Sequence, residues 1–251
     1  MSVLPILRRN IKWRFHNAFT IVITILQPIL WLVLYSAVAK QSMQGVGIEN
    51  YTAFIFPGLV VLVSFSSCSS GGIMNYLMKA DGSFYRVLIA PVQRQSIVLG
   101  QILEAVLCSF LEVGIMFLIS LLFSVRIASG IMGIVLIVII IFLQAFFMAG
   151  LACAVSLILP NTVVYETAMN AIVLPVFFLS TALFPMDLLS GGLRIAVCLN
   201  PFTHVINALR TLILQNAIDY KQIGAAVILL IGMSAVSFCW ALGRLKAEMN
   251  Q

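Results

Sequence analysis

The chain is short of charge. Only 9% of its 251 residues are Asp, Glu, Lys or Arg, and 62% are hydrophobic. A soluble domain carries about 25% charged residues, and a soluble core saturates before so much apolar surface is buried. This scarcity excludes an ordinary globular protein. Histidine is nearly absent, with only His16 and His204, so no His-based relay or metal cluster forms easily. The five cysteines include no C-x-x-C pair, and Cys68, Cys108, Cys153 and Cys239 lie inside apolar runs. They read as small buried hydrophobes, not disulfide or zinc partners. No G-x-x-x-x-G-K-[ST], G-x-S-x-G or H-E-x-x-H occurs. The chain is therefore expected to lack a catalytic site and to hold no metal or cofactor. Alternating segments of a membrane β-barrel are missing, as are internal repeats and low-complexity tracts.

What is present is long apolar runs. A spanning helix needs roughly 20 apolar residues, because the bilayer core is about 30 Å thick and a helix rises about 1.5 Å per residue. Six stretches qualify: Ala18–Val38, Phe54–Tyr76, Ser96–Val125, Gly130–Leu159, Val163–Phe184 and Ile223–Gly243. Backbone polar groups in lipid have no partner outside their own helix. The expected fold is all-α, a polytopic membrane protein with six transmembrane helices in one domain, 1–251. The basic start runs into a stretch too long for a cleavable signal peptide, with no convincing cleavage site.

Six spans put both termini on one side. Arg8, Arg9, Lys12, Arg14, Lys79, Arg86, Arg94, Arg244 and Lys246 fall there, against Lys40, Arg126, Arg194, Arg210 and Lys221 opposite. The excess places both termini and the interval 79–94 in the cytosol. Juxtamembrane charge answers to lipid headgroups, so nucleic acid is not an expected partner.

Residues 1–16 hold Leu4, Leu7, Ile11 and Phe15 at helical spacing among Arg8, Arg9, Lys12 and Arg14, with Trp13 as an interfacial anchor. They read as an amphipathic helix on the membrane surface; a plain topogenic flank is the simpler alternative. In the second span, Ser64, Ser66, Ser67, Ser69, Ser70, Gly71 and Gly72 crowd one half. Small residues let backbones approach closely in lipid, which suits either a substrate path or subunit interface, or close packing within the bundle. Tight turns are expected at 126–130 and at Pro160-Asn161-Thr162. In 185–222, two short helices, Leu188–Leu199 and Pro201–Leu214, would dip into the outer leaflet as re-entrant elements, the second capped by Asn200 with Pro201 in its first turn.

Glu104, Glu112 and Glu166 lie within spans. Intramembrane carboxylates are costly and face the bundle interior. They read as proton or cation sites, which would make the chain an ion-coupled secondary carrier, or as hydrogen-bonded packing between helices. The absence of intramembrane Lys or Arg partners favours packing.

The interval Gly82-Ser83-Phe84-Tyr85-Arg86-Val87-Leu88, then Ala90-Pro91-Val92, Arg94 and Ile97-Val98-Leu99-Gly100, resembles the permease subunits of type-2 ABC exporters. There an internal loop reads approximately E-x-G-T-L-E-x-L-x-x-T-P-V-x-R. A second match runs from Phe178-Leu179-Ser180-Thr181-Ala182-Leu183-Phe184-Pro185 to Leu199-Asn200-Pro201-Phe202-Thr203 and Arg210, against F-x-S-G-x-x-F-P and N-P-x-T…R. The order of these motifs is shared along the whole chain. Tyr85 stands where the family often has Glu, Ala80-Asp81 where it has an acid before the glycine, Thr181 for Gly and Gln101 for Lys. Leu189-Ser190-Gly191-Gly192 matches the start of the cassette signature loop, but it lies externally with no phosphate loop before it, and reads as a turn.

The resemblance implies an efflux system of a bacterial plasma (inner) membrane. A separate cassette ATPase subunit, carrying ATP and Mg, would dock on 77–95 through Gly82, Ser83, Phe84, Arg86, Leu88, Pro91 and Arg94, together with the N-terminal helix. A second permease copy or a sister permease would complete a path lined by the first, second and fifth spans. Ser66, Ser67, Ser70, Asn170, Phe177 and Phe178 are its candidate lining, suited to an amphiphilic drug, lipid or glycoconjugate.

Overall fold

The computed structural model describes residues 3–14, 26, 29–34, 37, 51–89, 93–121, 127–186, 190–215 and 219–248. Among them every regular element is an α-helix: α1 Val3–Arg14, α2 Tyr51–Ala80, α3 Ser83–Ile89, α4 Arg94–Ser120, α5 Gly130–Ser156, α6 Thr162–Phe178, α7 Gly191–Leu199, α8 Pro201–Leu214 and α9 Tyr220–Glu248. The long helices run up and down. One end of the bundle carries α1, α3 and the last turn of α9; the other carries α7 and α8.

Four helices, α2, α4, α5 and α9, are long and apolar enough to cross a bilayer. The α7–α8 pair, bent by 78° at Asn200, makes a fifth if it is one broken span. The described residues thus support four to five crossings, and the expected count of six is not reached among them. The predicted first span, Ala18–Val38, falls largely outside the described residues, although 26, 29–34 and 37 are helical. The predicted fifth span, Val163–Phe184, yields a helix of 17 residues that stops at Phe178. Pro175 withholds one donor from its last turns. The Ser180 hydroxyl then donates to the Phe177 carbonyl and accepts from the Ala182 amide, which fixes a turn in place of further helix.

α2 is the axis of the bundle. Its most apolar window is 83% buried, against 28% for α9, and α3, α4, α5, α6 and α8 all touch it. Glycine makes this closeness possible. A Cβ at Gly72 would sit 2.2 Å from the Tyr165 hydroxyl, one at Gly71 3.0 Å from Ala105, and one at Gly58 2.7 Å from Ala182. Of the two readings of the Ser/Gly-rich half, close packing is what these contacts show for Gly71 and Gly72.

The break expected at Pro160-Asn161-Thr162 is present, and Asn161 there opens α6 by accepting from the Val164 amide at 2.9 Å. Asn200 opens α8 by accepting from the Phe202 amide at 3.0 Å, with Pro201 in the first turn. The helix expected from Leu188 begins at Gly191, where φ is +61°. Cys68, Cys108 and Cys153 are buried as expected, but Cys239 is on the exposed flank of α9.

Candidate functional site

The interval after α2 builds a small exposed platform. Gly82 reverses the chain with φ +72° and open space where a Cβ would stand, so it is the conformation, not crowding, that favours glycine. Asp81 Oδ1 accepts from the Ser83 amide at 2.9 Å and starts α3. Hydrogen bonds from the Ser83 hydroxyl and amide, with smaller help from Arg86 and Arg9, hold the Asp81 carboxyl below the usual carboxylate range. Asp81 thus serves as a local cap, while Ala80 stands where the family pattern has its acid.

The platform is tied down from below. Phe84 is buried, with the Lys79 ammonium 5.3 Å from its ring centroid. The same ammonium pairs with Glu248 in the last turn of α9 at 2.5 Å. Arg9 of α1 donates to Asn10 Oδ1 and to Met78 Sδ. α1 itself lies along α4, with Ile6 set so close to Gly100 that an added Cβ would meet it at 2.7 Å. Ile6 and Asn10 are buried there, whereas Leu4, Arg8, Arg9 and Lys12 stay exposed. The helix thus has a protein face next to the apolar stripe that spacing alone suggests.

What faces outward on α3 is Tyr85 and Arg86, flanked by Asp81, with Arg94 exposed at the start of α4. Ser83 is half-buried. Phe84, expected as part of an apolar docking surface, belongs instead to the core beneath it. The side chains of Trp13, Arg14 and Leu88, and Pro91 altogether, lie outside the described residues.

A second polar feature runs inside the bundle. Ser67 donates to Glu112 Oε1 at 2.8 Å, and Ser109 to Ser64 at 2.7 Å. The Cys108 thiol points at Glu104 Oε1, 3.4 Å away. Toward the α3 end, Gln101 donates to Asn75 at 2.7 Å, Asn75 to Ser156 at 2.6 Å, and Cys153 to Gln101 at 3.2 Å. These bonds join α2, α4 and α5 as internal satisfaction of polar groups requires in lipid. Glu104 and Glu112 are both buried in this seam. Glu166 is exposed on α6 and does not join them.

The remaining candidates divide the same way. Ser67 and Phe177 are buried within the chain, and Ser66 and Ser70 are half-buried. Asn170 and Phe178 are exposed on α6. Lys79, Glu248 and Arg210, which organise the two ends, were not singled out as functional by pattern. Arg210 closes the second motif, and that is the only signal the sequence offers for it.

A helical bundle with an exposed platform at one end and a broken, capped helix pair at the other is the setting for the family comparison. The model of the ABC-2 type transporter family matches residues 2–214. The chain belongs to that family. Relatives named "Putative transport permease ycf38" are similar over nearly the whole ABC-2 chain. The protein of Cyanophora paradoxa is 26% identical across 89% of this chain and 81% of its own length. Those of Porphyra purpurea and Pyropia yezoensis are 24% and 25% identical, each across 95% of this chain and 86% of theirs. As an ABC-2 family member with helices long and apolar enough to cross a bilayer, the chain is a polytopic membrane protein of the transport-permease kind.

Proposed function

We propose that the chain is the membrane subunit of an ATP-driven exporter, with α3 as the contact for a separate ATPase subunit that carries ATP and Mg. The observation that carries this reading is the platform. A short helix, started by the Asp81 cap and anchored by buried Phe84, presents Tyr85 and Arg86 to a partner. Both termini and this end are cytosolic, in the plasma membrane of a bacterium. ATP binding drives the permease only if the closed ATPase pair binds one permease state better than the other.

The exposed flank of α6 supports a second permease copy or a sister subunit. Glu166, Thr167 and Asn170 lie there among Val163, Leu174 and Phe178. Polar side chains facing lipid are costly, so this flank belongs against protein or a hydrated path. Its mixture of carboxamide, carboxylate and ring suits an amphiphilic cargo. The ion-coupled carrier has less support, because Glu104 and Glu112 sit in the packing seam and Glu166 stands apart.

The test is isolation of the chain from its native membranes with and without Arg86→Glu. Wild type should retain a cassette ATPase and show ATP-dependent export. The variant should insert normally and lose at least about tenfold in ATPase retention, because a charge reversed at an interface opposes the partner it once matched. Transport that continues with the ATPase's catalytic site disabled would overturn the exporter reading.

A further inference from the structure

The α8 end of α6 is held by side-chain hydrogen bonds in addition to the apolar packing of Phe177 and Ala182. Arg210 of α8 donates through Nη2 to the Thr181 carbonyl at 2.5 Å, through Nε to the Phe54 carbonyl of α2 at 3.2 Å, and through Nη1 to Asn207 Oδ1 at 3.0 Å. Its guanidinium stacks 3.8 Å from the Phe54 ring centroid. Asn207 Oδ1 also accepts from the Thr181 hydroxyl at 2.8 Å. About two turns before Asn207, at the cap of α8, Asn200 Nδ2 donates to the carbonyls of Val176 and Leu179. Three side chains of α8 thus grip the last turn of α6 and the bend that follows.

Among the described residues, the rest of α6 is held along one line, where the Tyr165 hydroxyl donates to the Ser69 carbonyl. Beyond the inner line of Tyr165, Met169 and Val173, its flank is open. Pro175 leaves a gap in the helical ladder just before the gripped turn, which is where a helix bends most easily. The grip is discrete, because the planar guanidinium satisfies several acceptors in one fixed fork. A set of bonds that form or release together, beside a natural hinge, is a two-state element of the kind that switching requires.

We propose that Arg210 is the positioning residue of a clamp that keeps the α8 end of α6 closed, and that its release accompanies outward opening during transport. This rests on the exporter reading for what drives the release, but the clamp itself can be tested without it.

The experiment is amide hydrogen exchange on the full chain in lipid nanodiscs, alone and with its co-purified ATPase, followed in peptides spanning 176–186. Local opening of a protected turn appears there as faster exchange confined to that segment. Arg210→Gln, without nucleotide, should speed exchange in 176–186 roughly tenfold while α4 and α5 keep wild-type protection. Arg210→Lys, which keeps the charge but not the fork, should fall between. In the complex, ATP with Mg should produce the same local acceleration in wild type and add little in Arg210→Gln. Unchanged exchange in Arg210→Gln overturns the clamp. Loss of protection spread through α4 and α5 also overturns it, by making Arg210 a general brace. Local acceleration in the variant, with no ATP effect on wild type carrying a competent ATPase, keeps the grip but overturns its release in transport. Failure of any ATPase to co-purify removes the exporter reading and leaves the Arg210→Gln comparison to decide the clamp alone.

Discussion

α2 and α6 are both apolar helices, yet they are used in opposite ways. α2 spends its small residues on neighbours: Gly58 on Ala182, Gly71 on Ala105, Gly72 on Tyr165. Its serines are spent too, Ser67 on Glu112 and Ser64 on Ser109. α6 keeps Glu166, Asn170, Ala171, Leu174 and Phe178 uncovered. Small size on a spanning helix is a packing device when the backbone it admits belongs to the same chain. A mixed polar and apolar flank left open is a surface that a second body must complete. Ser64 and Ser67 of α2 therefore bond within the bundle, and the open flank of α6 is the one we propose for partner and cargo.

The sharpest way to break this comparison is to overfill α2. Gly72→Val places carbon where the Tyr165 hydroxyl lies and removes that hydroxyl's bond to the Ser69 carbonyl, made at 2.6 Å. It should cost about 3 kcal/mol, from overpacking plus one lost hydrogen bond, read as a lower unfolding midpoint in detergent. Tyr165→Phe removes only the hydroxyl and should cost about 1 kcal/mol. Combined with Gly72→Ala it should give less than the sum of the single effects, because the colliding atom is gone.

On the α6 side, Ala171→Phe adds a ring to the open flank. Stability should move by no more than about 0.5 kcal/mol, as for other exposed positions, while cross-linked permease pairs in membranes should be lost. If stability falls as it does for Gly72→Val, the flank is part of the fold and the contrast between the helices fails.

The smallest effect belongs to the platform that neither helix buries. The folded pKa of Asp81 is depressed, so its capping contribution is present above the unfolded value and is lost as pH falls through the folded one. Pepsin cleavage within 83–89 should rise as pH drops below the ordinary carboxylate value of about 4. Asp81→Asn, which cannot gain or lose charge, should show no such step.

Much of this was legible in the residues. The apolar runs gave α2, α4, α5 and α9, and Asn200-Pro201 gave the start of α8, because both signals are local. The break at Pro160-Asn161-Thr162 was legible for the same reason. Phe84 is buried beside the Lys79 ammonium, and nothing nearby in sequence says so. The end of α6 was misread: an apolar run to Phe184 continues past the point where Ser180 turns the backbone. The polar seam was half legible. Glu104 and Glu112 were expected to face the bundle interior, but that Ser67 would meet Glu112 depends on how α2 and α4 are rotated.

The sequence by itself determined that this chain lives in a membrane, that its elements are helices, and roughly where most of them start. Hydropathy and backbone hydrogen bonding leave no other choice in lipid. Only the tertiary structure decided which small residues are packing and which flank is open. It also brought Lys79 to Glu248 and Arg210 to Phe54 and Thr181. Such pairings depend on the mutual rotation and depth of helices distant along the chain, and no local pattern carries that information.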